Sequence, residues 1–487
     1  MDEENFDWSL LVALFFISGV IFASFFELEK WELFLIAFLV PFFVFFIVEK
    51  IIFKKILISF FFLFGLCFFI GAGFFYFNLE KIKNLDVFAE EKLAVFVISE
   101  PSPKERFQSF LAKSLKNGNK FSVNVSNSFY IQEYDCLEIK GKIKNIDSID
   151  DDGYRHYLLS REVKGTIYLP ETKKINCPQN LEMSFYKKII GFKNKTKEII
   201  NFSLPKIKAD FLSALILGGR NTIPKEWNDR LNRTGVSHIL AISGMHITIW
   251  AFLIVEILIL LGFWRGQAFY IVILFLAIYL ILIGFPASAV RAAIMAVIFL
   301  TVQKIGYATQ SDRLVIMAAF FMILFNPFVI YDIGFQLSAM AILGIIYLSQ
   351  FFNDLLEKIK MPRIISEVLA MTFAAQIFVV PILAYNFGQI SVISPITNIL
   401  IAPLFPFILI TGSALIILGF FHLELTFFVN WFLILVFGYF LEVVRYFDKV
   451  PFAIAEIKNL SFVVFVIYYL FLSLITWFII KKRKFQI

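Results

Sequence analysis

The stretch TGVSHILAISGMHITIW, residues 234–250, sets polar side chains inside an otherwise apolar run. Ser237, His238, Ser243, Gly244, His246 and Thr248 crowd into this one segment. A polar group buried in lipid costs kcal/mol unless it is partnered, so these residues are expected to face protein or water. Ser243-Gly244 also marks a break, because glycine tolerates positive φ and unwound backbone at membrane depth survives only where protein encloses it or it lines a cavity. The stretch reads as the centre of a membrane-embedded path or site.

The composition sets the surrounding fold. Of 487 residues, 59% are hydrophobic and 18% aromatic, with a mean hydropathy of +0.79. No soluble domain hides that much apolar surface, so a multi-pass membrane protein is expected. The 64 Phe read first as lipid-facing filler. A net charge of +7 fits Lys and Arg gathered in cytoplasmic loops and does not by itself imply nucleic acid.

Three apolar segments open the chain at about 9–26, 33–48 and 56–78, each near the length that crosses the hydrocarbon core. The first follows acidic MDEENFDW and lacks a basic leader and a cleavage site, so it reads as a retained helix. The loop at 27–32 is acidic and the loop at 49–55 basic. The positive-inside rule puts the second loop in the cytoplasm and the next domain outside.

From 81 to 204 the hydropathy collapses, and alternating runs at 93–99, 120–126, 128–134, 136–146 and 165–170 predict strands of a small, partly open β barrel. Tyr130, Tyr134, Lys140, Lys142 and Lys144 admit two readings: a stacking and phosphate surface for single strands, or core aromatics and edge-blunting lysines. Cys136 and Cys177 lie in this domain and could pair in an oxidising compartment, but sequence does not give their separation; Cys67 lies in an apolar segment. No zinc-ligand spacing is present. The expected organisation is a transmembrane region at 1–80, the β domain at 81–183, a basic amphipathic connector at 184–207 suited to a membrane surface, and a transmembrane channel region at 208–487.

Within 208–235 two short helices are expected, the first ended by Gly218-Gly219, the second started near Pro224 and stopped by Gly235. Arg220, Arg230 and Arg233 precede the central stretch and either guide phosphates or anchor at headgroups. Crossings follow near 236–262, 268–284, 286–303, 314–326, 328–351, 364–386, 390–420, 425–444 and 461–480. On this count the loops with Arg265, with Lys304 and Arg313, and with Lys358, Lys360 and Arg363 fall inside, as does the tail KKRK at 481–484. The fold class is therefore a polytopic α-helical membrane protein with about twelve crossings and an inserted extracytoplasmic β domain, in the cytoplasmic membrane with its C-terminus inside.

RTGVSHILAISGMHITI, at 233–249, resembles the hallmark motif of the ComEC competence proteins, and the stretches 284–300, 326–345 and 374–404 agree in order and spacing. More weakly, 151–170 looks like the end of that family's soluble domain, and the OB label for the β domain leans on this resemblance. The resemblance implies an inner-membrane channel for uptake of single-stranded DNA during natural transformation. It also implies partners: the single strand, membrane lipid, an extracytoplasmic DNA receptor and a cytoplasmic helicase or ATPase, with homo-oligomerisation open. Family members often carry a C-terminal metallo-β-lactamase-like domain. This sequence stops at Ile487 without a His- and Asp-rich block, so the form lacking that domain is expected, with no nuclease activity and no cofactor. No GxxxxGK[ST] loop is present, and ATP use by this chain is not expected.

Arg291 follows the break GFPASAV and either contacts phosphate bidentately or serves as an anchor or ion-pair partner, with Asp332 or Glu256 as candidates. Asp332 and Gln336 share a helical face and either cap a helix start or line the passage. Gln376, Asn386, Gln389 and Asn398, among Pro381, Pro395 and Pro403, suggest a polar, irregular lining. The DNA-path candidates are thus Ser237, His238, Ser243, Gly244, His246, Arg291, Gln336, Gln376, Gln389 and Asn398. His238 and His246 do not have zinc spacing and read equally as hydrogen-bonding residues. Two other functions compete: a secondary transporter of a small anionic solute, and an intramembrane hydrolase using Ser243 and His246.

Overall fold

The computed structural model describes residues 8–25, 55–83, 92–178, 181–219, 223–240, 242–305, 311–457 and 461–484. They form two compact units, Met1–Cys177 with Ala308–Phe335, and Pro178–Tyr307 with Gln336–Ile487.

In the first unit, helices α1 (Trp8–Phe25) and α2 (Lys55–Lys83) pack through glycine. A Cβ on Gly19 or Gly71 would overlap a backbone carbonyl of the facing helix, at Phe68 and Phe16 respectively. Such small-residue contacts let membrane helices gain van der Waals attraction where lipid removes the hydrophobic drive. The crossing expected at 33–48 lies outside the described residues.

The β domain is a sheet of β1 (Lys92–Val97), β2 (Ser102–Pro103), β3 (Phe107–Ser114), β4 (Lys120–Ser126), β5 (Cys136–Lys140), β6 (Ile143–Asn145), β7 (Val163–Tyr168) and β8 (Glu171–Ile175). The order is β6-β7-β4-β3-β1-β5-β8, with β2 on β3, and β4 pairs with β7 in parallel. Val95, Val97, Phe110, Phe121, Val123, Leu137, Ile139 and Ile167 belong to its core. A Cys136–Cys177 disulfide ties β5 to the segment after β8 across a Cα separation of 5.3 Å.

Several strand assignments change: β2 and β8 were not expected, and the run at 136–146 divides into β5 and β6. β3 was not expected, because its inward positions include Gln108, Ala112 and Ser114 and so show no apolar alternation. Residues 128–134 form a loop instead of a strand: Gln108 Nε2 donates to the Phe129 carbonyl, and Tyr134 turns to a φ of 69°. Helix α3 (Asp152–Ser160) lies between β6 and β7, and after β8 the first unit resumes in α11 (Ser311–Phe325) and a 3-10 turn at Pro327–Tyr331. That turn is held to the β domain. Asn326 Nδ2 donates to the Ser160 carbonyl at 2.9 Å, Arg161 lies 3.9 Å from Asp332, and the His156 and Tyr331 rings stack at 4.0 Å.

In the second unit, α4 (Leu181–Ser203) carries the basic stretch and buries Ile199 and Ile200 at its end. Helices α5 (Lys206–Leu217) and α6 (Lys225–Thr234) follow, terminated by Gly218 and Gly235 at φ values of 76° and 72°. A shared core joins α5 and α6 to α15 (Phe405–Phe421) and α16 (Phe427–Asp448) through Phe211, Trp227, Leu231, Phe405, Phe437 and Phe440. The expected crossing at 236–262 is interrupted: α7 (Ser237–Leu240) stops before a break and α8 (Gly244–Leu260) restarts after it. Next come α9 (Arg265–Ile283), α10 (Ala287–Ile305), α12 (Ile333–Glu357), α13 (Arg363–Phe387), α14 (Ser394–Ile401) and α17 (Phe462–Lys484). A two-stranded sheet pairs β9 (Gln389–Ser391) with β10 (Ile454–Glu456). The long expected crossing at 390–420 is composite, built of β9, α14, a 3-10 turn at Ala402–Leu404 and α15.

Among the described residues seven helical stretches are long and apolar enough to cross a membrane, and Leu10–Phe25, Gly244–Leu260 and Ala287–Val302 are shorter apolar helices. The chain is a helical membrane protein with a small sheet domain.

Candidate functional site

Two junctions are stitched, the break between α7 and α8 and the end of α6. At the first, Ser288 Oγ of α10 donates to the Ile242 carbonyl at 2.7 Å, and a Cβ on Gly244 would stand 3.5 Å from that of Ala292. At the second, residues 389–397 close on the end of α6: Ser391 Oγ donates to the Arg233 carbonyl and Thr397 Oγ1 to that of Thr234, both at 2.8 Å. Gln376 Nε2 of α13 reaches Ser394 Oγ at 2.6 Å. The hydroxyls of Ser288, Ser391 and Thr397 satisfy carbonyls that interrupted helices leave orphaned, which is what backbone at membrane depth requires.

Within the break, His246 Nδ1 accepts the Ser243 backbone N–H at 3.0 Å and lies 3.3 Å from Ser243 Oγ. Together they form a capping box at the start of α8. An imidazole nitrogen that accepts the backbone N–H has its lone pair in use, so Nδ1 is not poised to take a proton from Ser243. His246 is 0% exposed, with its ring edge-on to Phe405 at 4.6 Å. His238 faces outward, its Nδ1 3.1 Å from the Gly235 carbonyl, and Ser237 is half-buried beside it. Among the described residues no group of three or more His, Cys, Asp or Glu side chains gathers.

Arg291 is only 3% exposed, and its Nε and Nη1 have no hydrogen-bond partner. The two ion pairs considered for it are not formed: Asp332 caps α12 by accepting from the Phe335 N–H at 2.9 Å and pairs with Arg161, while Glu256 is exposed. Asn398, one residue from Thr397, buries an Oδ1 that is likewise unpartnered. Gln336 is half-buried in the first turn of α12, Gln389 is exposed in β9, and Asn386 bonds back to the Ile382 carbonyl at 2.9 Å.

Two of the arginines before the break form ion pairs within the fold. Arg233 Nε lies 2.9 Å and Arg230 Nε 3.7 Å from the Asp448 carboxylate, Arg230 also pairs with Glu226 at 2.5 Å, and its guanidinium sits 5.1 Å from the Trp227 ring centre. Arg220 lies outside the described residues. Ser243, Gly244, His246, Arg291, Gln376 and Asn398 are therefore drawn to the interrupted seam, whereas Arg230 and Arg233 are held at Asp448. Ser288, Ser391, Ser394 and Thr397 were not anticipated. Ser394 alone had a signal, as a hydroxyl residue beside Pro395 in a segment too long for one crossing.

A family model described as Competence protein matches residues 215–482, more than half of the chain and the whole of this seam. ComE operon protein 3 of Bacillus subtilis (strain 168) is 25% identical over 290 residues, 58% of this chain and 36% of that relative. The chain thus spans little more than a third of that relative's length. No solved structure matches.

Proposed function

Because this chain belongs to the competence protein (ComEC) family, we propose that it acts in DNA uptake, passing one strand of incoming DNA across the cytoplasmic membrane. The observation that carries this reading is the interrupted polar seam. A continuous membrane helix presents only side chains, whereas here residues 242–244 and 389–397 bring hydroxyls, amides and backbone groups inside the membrane-spanning unit. A hydrated, charged strand needs such a route.

In this reading the sheet domain is an OB-like module on the outer side, and the Cys136–Cys177 bond supports that side because disulfides persist in oxidising compartments. About twelve crossings then bring the basic residues at 481–484 to the cytoplasm. Passage, not hydrolysis, is the role: the Ser243–His246 pair is a helix cap. The driving force, the receptor and any degradation of the other strand belong to partner proteins. The unpaired Arg291 would also suit a carrier of a small anion, which is the second reading.

The test is entry of labelled DNA into the cytoplasm of transformable cells with and without the gene. Loss of entry with surface binding retained is the expected result. Unchanged entry in the deletion strain overturns DNA passage and leaves the anion carrier.

A further inference from the structure

We infer that α4 rests on the bilayer surface and gathers anionic phospholipid headgroups through Lys188 and Lys195, whatever solute the chain passes. The helix meets the junction of α15 and α16. Phe192 stacks on Phe420 with ring centres 5.4 Å apart, a Cβ on Gly419 would overlap the Ile199 side chain, and Asn430 Nδ2 donates to the Ser203 carbonyl at 3.4 Å. Ser394–Phe421 and Leu423–Asp448 are each long and apolar enough to cross a membrane. The 3-10 turn between them, Leu423–Thr426, therefore stands at a bilayer surface, where hydrocarbon gives way to headgroups. Phe421, Phe427, Phe428 and Trp431 are exposed around that turn, and an indole favours this depth.

Protein covers only part of α4. Phe185, Phe192, Thr196, Ile199 and Ser203, at i, i+7, i+11, i+14 and i+18, share one stripe of the helix. Thr196, Ile199 and Ser203 are buried, whereas Phe185 and Phe192 stay 47% and 46% exposed. The stripe thus runs on past the bundle, and Phe192 joins it to Phe420, which is exposed on a membrane-spanning stretch. Lipid is what covers an amphipathic helix so placed.

Charge follows the same line. Between residues 184 and 203 five lysines stand against one acidic residue, Glu198. Lys188 and Lys195 are exposed, and each comes three residues after a phenylalanine of the stripe and so lies beside it on the helix. A lysine in that position lays its methylene stem on apolar surface and its ammonium among headgroups. Lys195 is 3.7 Å from Glu198, but both are exposed, and such a pair is too weak to hold the ammonium from a phosphate. A zwitterionic headgroup brings its own cation, so a lipid of net negative charge, such as phosphatidylglycerol, is the one these lysines select. A nucleic-acid strand would also answer the lysines, but the phenylalanines that would stack its bases lie on the stripe continuous with Phe420.

The test uses the full chain carrying Cys67→Ser and Phe185→Cys, labelled with bimane, with Cys136 and Cys177 left paired. It is placed in phosphatidylcholine nanodiscs containing a lipid with a nitroxide near the top of its acyl chain, on either phosphatidylglycerol or phosphatidylcholine. Both lipids are expected to quench the label. At low salt phosphatidylglycerol is expected to associate at least about fivefold more strongly, the contribution of one lysine at an anionic surface. Adding Lys188→Gln and Lys195→Gln should bring the two lipids near parity while quenching by phosphatidylcholine persists.

An absence of quenching by either lipid takes α4 off the bilayer and overturns the proposal. Equal quenching by the two lipids before the lysines are changed also overturns it, as does an undiminished preference after. A final arm adds a short oligothymidylate to discs of phosphatidylcholine alone. A change in bimane emission that the lysine substitutions abolish, together with no preference between the lipids, makes these lysines a nucleic-acid contact and overturns the lipid site.

Discussion

Gly235 and Ser394 pack so closely that a methyl group on the glycine would overlap the serine Cβ and lie 2.9 Å from that of Ser391. Gly235 also has a φ of 72°, where an L side chain is strained. Gly235→Ala is expected to destabilise the chain by about 2–4 kcal/mol, seen as a lower thermal midpoint in detergent. Gly266→Ala, with nothing within 4 Å of its added methyl, serves as the control and should match wild type or exceed it slightly.

Ser243 and His246 cap α8. Ser243→Ala should cost about 1 kcal/mol while DNA entry persists, and Ser243→Asp should restore the midpoint. Complete loss of function in a Ser243→Ala chain of normal stability would revive the hydrolase reading.

Asp448 gathers Arg230 and Arg233 at the ends of α6 and α16. Asp448→Ala leaves the half-buried Arg230 and the exposed Arg233 less well paired. A double-mutant cycle with Arg233→Ala should show a coupling of about 0.5–3 kcal/mol. Additive effects would free Arg233 for a role outside the fold.

The Cys136–Cys177 bond closes a stretch with a sequence separation of 41. Replacing both cysteines by alanine should lower the stability of the sheet domain by about 2–4 kcal/mol and the amount of full-length chain in cells. Thiol labelling under denaturing conditions, with and without reductant, checks the pairing: only Cys67 should label before reduction.

Arg291 is costly where it sits, so removing its charge should help the fold while harming its use. Arg291→Met is expected to raise stability by about 1–4 kcal/mol and to reduce DNA entry. A fall in both would make Arg291 a structural residue.

Much of the fold was legible because hydropathy and turn chemistry are local. The helix ends at Gly218 and Gly235 were readable from glycine alone. β3 was not, since Gln108 and Ser114 fill inward positions that only the folded sheet reveals as buried. The candidate site divided in the same way. Ser243, His246 and Arg291 stood out as polar residues in apolar surroundings, but Thr397 gave no signal, because its bond to the Thr234 carbonyl joins residues 163 apart.

Composition, apolar segment lengths and the motif at 233–249 were enough to determine a membrane protein of this family, because membrane insertion and helix breaking depend on side chains near one another in the chain. Whether a polar residue is free or satisfied depends on what faces it across the fold. Tertiary structure alone therefore decided that Arg230 and Arg233 are held by Asp448 while Arg291 is left without a partner.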